Sequence, residues 1–86
     1  MIYKILISKQ ANKFLAGIPK KDQEKITEKI HELATNPSGE GVIKLVNVSP
    51  DTYRARQGDY RIMFHIHDSE LVVDVIDIAH RSAAYR

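Results

Sequence analysis

The 86-residue chain has no cysteine and no tryptophan, only three prolines and four glycines, and no apolar run that approaches a membrane span. Each absence excludes something. Without cysteine, neither disulfides nor thiolate metal sites are available, so a domain of this size rests on packing alone, as suits the reducing cytosol. The opening stretch from Ile2 to Ile7 is apolar but far shorter than the ~20 residues a membrane helix needs. It also lacks the basic start and small-residue cleavage site of a signal peptide, so no membrane association is expected. Aromatics make up 7% of the chain, which leaves little surface for stacking bases and disfavours a plain RNA-binding module.

What is present is ordinary for a globular protein: 43% hydrophobic and 28% charged residues. Two halves of this chain would each be too small to bury a core, so residues 1–86 are expected to form one domain. The formal charge of +2 is modest, but its distribution is uneven. Seven of the eight lysines precede Gly41, whereas all five arginines (Arg54, Arg56, Arg61, Arg81, Arg86) follow Pro50. Guanidinium is a planar, permanently charged fork that grips phosphate bidentately, while lysine also serves as ordinary helix solvation. The segregation points to a polyanion held by the C-terminal half.

Hydrophobic spacing organises the chain as β-αα-ββββ. Ile2 to Ile7 reads as a strand, with Ser8 placed to cap a helix carrying Ala11, Phe14, Leu15 and Ile18 on one stripe. Gly17 suits the stop of that helix, and Pro19 opens a second with Ile26, Ile30, Leu33 and Ala34 on its apolar side. After Asn36-Pro37-Ser38-Gly39 the helical period ends. Val42 to Val46, Tyr53 to Gln57, Tyr60 to His67 and Leu71 to Ile78 follow as strands. Helices first and strands after imply an α+β fold, with an antiparallel-rich sheet and both helices on one face.

Gly58-Asp59 has the glycine-first pattern of a two-residue type II′ turn. That fixes a register in which Arg56 faces Arg61, Arg54 faces Met63 and Tyr53 faces Phe64. Strand alternation then gathers Arg54, Arg56 and Arg61 on one side and Tyr53, Ala55, Ile62, Phe64 and Ile66 on the other, with Tyr60 on the core side. Like charges directly opposite cost up to about 1 kcal/mol, which an anion bound between them would offset. The alternative is a solvated face, with Asp74 diagonal to Arg61 and Asp59 shielding Arg56. The same reasoning applied to Asp68-Ser69 as a two-residue turn sets Ile66 against Leu71 and Phe64 against Val73, and adds His65, Val72 and Asp74 to the open face. His65-x-His67 has a spacing that metal sites use, but the pair sits next to the turn and no third ligand is evident, so no metal and no cofactor are expected. Lys44 is a strand-edge lysine and a peripheral candidate for RNA contact.

The last residues, His80-Arg81-Ser82-Ala83-Ala84-Tyr85-Arg86, crowd phosphate-competent groups at a sheet edge. Together with Tyr53-Arg54-Ala55-Arg56 and Gly58-Asp59-Tyr60-Arg61, in this order and spacing, they make the whole chain resemble the RelE/ParE superfamily of bacterial and archaeal toxins, on the RelE side. The resemblance implies a toxin of a type II toxin-antitoxin system, an endoribonuclease that cuts messenger RNA at the ribosomal A-site codon. It also implies two partners, a cognate antitoxin and the ribosome with its bound messenger. Arg61 and Arg81 would stabilise the scissile phosphate, Tyr85 would stack on or orient the RNA, and Arg54 and Arg56 would take the places of the family's basic pair. Some RelE members carry lysines at that pair; here both are arginine. Deprotonating a guanidinium near neutral pH costs roughly 7 kcal/mol, so Arg54 and Arg56 are expected to clamp rather than accept protons.

RNA supplies its own nucleophile, the 2′-hydroxyl, so alignment, charge neutralisation and two proton transfers suffice for cleavage to a 2′,3′-cyclic phosphate. His80 is a candidate for proton transfer and equally a candidate for a capping role at a strand end. Unbroken alternation past Ala79 would place Arg81 in the core, so the strand is expected to end or bulge near Ala79. The alternative function is that of a ParE-like toxin inhibiting DNA gyrase, or a RelE-fold homologue without nuclease activity.

Overall fold

The computed structural model describes residues 2–82. Its elements are β1 (Lys4–Ile7), α1 (Lys9–Ala16), α2 (Lys20–Thr35), β2 (Ile43–Lys44), β3 (Tyr53–Gln57), β4 (Tyr60–His67) and β5 (Val72–His80), with a short 3-10 turn at Asp68–Glu70. The α+β order is the expected one. Ser8 caps α1 by accepting the Ala11 N–H at 3.0 Å. Pro19 sits one position before α2, at its N-cap, where its missing N–H is not needed.

The sheet runs β1-β5-β4-β3-β2. Its neighbours pair antiparallel except at β1, which lies parallel to β5 with Ile5 beside Val73 and Ile7 beside Val75. Ala11, Ile26, Ile30 and Leu33 of the helices pack on Ala55, Ile62, Phe64, Val73, Val75 and Ile78, all buried. The opposite face of the sheet carries the polar alternation, and among the described residues no helix lies over it.

The β3-β4 hairpin has the expected register throughout, from Gln57 opposite Tyr60 to Tyr53 opposite Phe64. Gly58 has a φ of 60° while Asp59 keeps a negative φ, the combination that a type II′ turn requires.

The second hairpin differs from expectation by two residues. Asp68 to Glu70 coil into the 3-10 turn and Leu71 closes it at a φ of 53°, with its N–H donating to the Asp68 carbonyl. His67 therefore pairs with Val72, Ile66 with Val73, His65 with Asp74 and Phe64 with Val75. A shift of two preserves which face each side chain takes, so the core assignment survives while the neighbours on the open face change.

The break in β5 comes earlier than Ala79. Phe64 pairs with Val75 and Met63 with Asp77, so Ile76 is a bulge residue. Without it, the alternation of Val73 and Val75 would drive Asp77 into the core; with it, Ile78 goes inside at 1% exposure. The Ser8 hydroxyl donates to the Ile76 carbonyl at 3.0 Å, so one side chain both caps α1 and satisfies the bulge.

Candidate nucleic-acid interface

The hairpin places Arg54, Arg56 and Arg61 on the open face, with Arg56 directly opposite Arg61. Arg56 is exposed, whereas Arg54 and Arg61 are half-buried. Their Nε atoms are withdrawn from solvent. Arg54 lies in a row with Ile43 on one side and Met63 on the other. This apolar flanking lowers the local dielectric around the guanidinium and strengthens its attraction for an anion.

Arg81 follows the last residue of β5. Its N–H donates to the Asp59 carbonyl at 2.7 Å, extending the ladder one step past the Tyr60-His80 pair. Its Nε stands 3.7 Å from the Asp59 carboxylate, with both side chains well exposed, so the pair is weak and open to exchange with a stronger anion. Arg81 is thus held at the turn end of the hairpin, the end at which Arg56 and Arg61 face each other. Asp59 serves Arg81, not Arg56 as the solvated-face alternative supposed. Asp74 lies opposite His65 and near His67, not diagonal to Arg61.

Two candidates are placed elsewhere. His80 pairs with Tyr60 on the helix-covered side, and their rings meet edge to face at 5.5 Å. Its Nδ1 is engaged by the Ser82 hydroxyl at 2.9 Å and by the Ser82 N–H at 3.2 Å. The bulge at Ile76 is the cause, because it reverses the parity of every later residue of β5. Lys44 pairs with Tyr53, a core-side residue, and its ammonium contacts Asp51 at 3.3 Å. It is a sheet-edge lysine on the side away from the arginines. Tyr85 lies outside the described residues.

Tyr60 anchors this end of the molecule from behind. Its hydroxyl donates to the Asp22 carboxylate of α2 at 2.8 Å, and that hydrogen bond pushes the phenol above its ordinary pKa, helped by burial and by the negative charges of Asp22 and Asp59. The ring also meets Phe14 of α1 edge to face at 6.0 Å.

Sequence reasoning missed Lys29. This half-buried residue of α2 lines a groove with Gly41, Ile43, Arg54 and Arg56 at the edge of β3, adding a cation from the helical layer. β2 is only two residues long and leaves the Arg56 end of β3 uncovered, so the helix reaches the edge there. The available signal was Lys29 adjoining Ile30 in the apolar stripe, which sets it at the margin of the packed side.

The fold is thus a small α+β domain with two helices on one sheet face and arginines on the other. The model of the family described as the ParE toxin of the type II toxin-antitoxin system, parDE, matches residues 5–85. The chain is 35% identical over 85 residues to the toxin RelE of Mycobacterium tuberculosis, covering 98% of this chain and 87% of the relative. It is 28% identical over 88 residues to a putative toxin RelE1 of Methanocaldococcus jannaschii, covering 100% and 98%. Among solved structures, the archaeal RelE-RelB complex from Pyrococcus horikoshii superposes with a TM-score of 0.82 at 32% identity, covering 94% of this chain and 97% of the other. The toxin-antitoxin complex RelBE2 of M. tuberculosis gives 0.84 at 23%, covering 94% and 100%, a likeness of fold. The chain belongs to the RelE/ParE superfamily of type II toxin-antitoxin toxins.

Proposed function

We propose that the protein is a ribosome-dependent endoribonuclease that cuts messenger RNA at A-site codons and is neutralised by a cognate antitoxin. The observation that carries this reading is the placement of Arg56 directly against Arg61 on an open face, with Arg54 beside them and Arg81 at the same hairpin end. Two guanidinium forks set side by side on one face can grip the same phosphate from both sides. The identity to RelE toxins supports the RNA substrate, and the superposition on RelE-RelB complexes supports an antitoxin partner.

In this mechanism Arg61 and Arg81 neutralise the charge that develops on the phosphate oxygens as the 2′-hydroxyl attacks, while Arg54 and Arg56 hold the flanking backbone. Tyr85 orients the RNA. His80 acts as a positioning residue: its ring packed on Tyr60 and its bonds to Ser82 fix the point from which Arg81 departs. The arginines accelerate by electrostatics and alignment as the bond from phosphorus to the 5′-oxygen breaks, and leave both proton transfers, from the 2′-hydroxyl and to the departing 5′-oxygen, to water or to the ribosomal surroundings.

The match to the ParE toxin model supports a second reading, inhibition of DNA gyrase. Primer-extension mapping of a translated messenger with ribosomes, run beside an Arg61→Ala, Arg81→Ala double variant, separates the two. Cuts within A-site codons that disappear in the variant are expected. Intact messenger together with blocked gyrase supercoiling would establish the second reading instead.

A further inference from the structure

The register of the second hairpin brings together three side chains that the sequence alone kept apart. His65 and His67 project from β4 to the same open face, and the four-residue connection sets Asp74 of β5 directly opposite His65. One imidazole nitrogen from each histidine and one carboxylate oxygen all lie within 4.8 Å of one another. The His67 Nε2 to Asp74 Oδ2 distance is 3.9 Å, too long for a hydrogen bond, and the two imidazole rings stand edge to face at 6.3 Å.

We propose that His65, His67 and Asp74 bind a divalent transition-metal cation of the zinc class on the open face of the sheet. Two imidazole nitrogens and a carboxylate oxygen are a ligand set that zinc accepts, with bonds of about 2.0–2.2 Å. Tetrahedral geometry at that bond length sets neighbouring donors about 3.3 Å apart. Closing from the observed separation takes about 1.5 Å, which small χ rotations of partly exposed side chains supply at little cost. The strand backbone fixes the spacing of all three ligands, so the site is largely preorganised. Lys4 shares the row of His67, across Val72 on β1, and is not one of the three ligands.

Three protein ligands leave the fourth position open to solvent, where water or a phosphate oxygen binds. His65 is four residues along β4 from Arg61, so the ion sits roughly 13 Å from the arginine pair on the same face. This site does not depend on the nuclease reading; it holds equally for a chain that cuts no RNA.

The test is calorimetric titration of untagged, metal-stripped protein with zinc chloride, and cobalt chloride followed by visible absorption. The expected result is one ion per chain, with the intense visible bands of four-coordinate cobalt. His65→Ala, His67→Ala and Asp74→Asn should each weaken zinc binding at least tenfold, with circular dichroism and thermal unfolding of the metal-free variants unchanged. Absence of saturable zinc binding would overturn the proposal. So would undiminished affinity in the His65→Ala, His67→Ala double variant, which would place the ion at His31 or His80.

Discussion

The two faces of one sheet obey opposite rules. On the helix-covered face, Ile62, Phe64, Val73 and Val75 are fully excluded from solvent and neighbours are chosen for volume. On the open face, Arg56 stands against Arg61, and His65, His67 and Asp74 crowd together. The first arrangement stabilises the folded chain by burial, while the second gathers charged and metal-competent groups where solvent reaches them. The same strands serve both, because alternation separates the two populations by a single residue step.

The largest effect should follow from damage to the covered face. Phe64→Ala removes a fully buried ring that stacks near Tyr53 at 5.9 Å. It should cost about 3–5 kcal/mol of stability, read by chemical denaturation, a large part of what a domain of this size has. Arg61→Ala on the other face should leave stability within about 1 kcal/mol, yet lower messenger cleavage roughly 10²–10³-fold. Comparable stability losses at the two positions would erase the division between the faces.

A subtler substitution sets the two rules against each other at one site. Arg56→Glu converts a like-charge cross-strand pair into an opposite-charge pair with Arg61. Unfolding should become harder by about 0.2–1 kcal/mol, while binding of ribosome-associated RNA falls. Loss of both stability and binding would mean that Arg56 is held by contacts other than those that a phosphate replaces.

The division was legible in the sequence where local chemistry dictates geometry. Gly58-Asp59 demands a two-residue turn, and a two-residue turn leaves no freedom in the register that follows; hence Arg54, Arg56 and Arg61 were found together. Asp68 to Leu71 contains no glycine, and Leu71 in a left-handed conformation is a choice that no local rule favours. It is held from outside, by the Lys4 N–H donating to its carbonyl at 2.7 Å across the parallel β1 junction. The metal-ligand triangle was hidden for that reason. The bulge did leave a trace in the stutter of Val73, Val75 and Ile78, whose spacing changes from two to three at Ile76. Reading that stutter would have put His80 behind the sheet. Lys44 and Lys29 depend on where the 36–42 loop delivers β2, which is a tertiary matter.

The smallest effect is expected where the two faces meet, at the Tyr60-Asp22 hydrogen bond behind the hairpin turn. The phenol is raised because the neutral hydroxyl donates to a carboxylate and its ionised form would face that same negative charge. A folded pKa above the unfolded value of about 10 means that this contribution to stability is complete below pH ~10. It is lost as pH rises through the folded value, because the unfolded chain then releases the proton more readily. Asp22→Asn should therefore bring Tyr60 ionisation back toward the ordinary range in a spectrophotometric titration, and flatten the alkaline fall of stability between the two pKa values. Tyr3, whose hydroxyl donates to Asp68 at 2.6 Å and is raised for the same reason, should be unmoved by that change. If Asp22→Asn left the alkaline titration of the tyrosines unchanged, the hairpin would not be fastened through α2. The arginine end would then be held by the strand ladder, the Arg81 to Asp59 backbone bond and the Phe14, Tyr60 and His80 ring contacts.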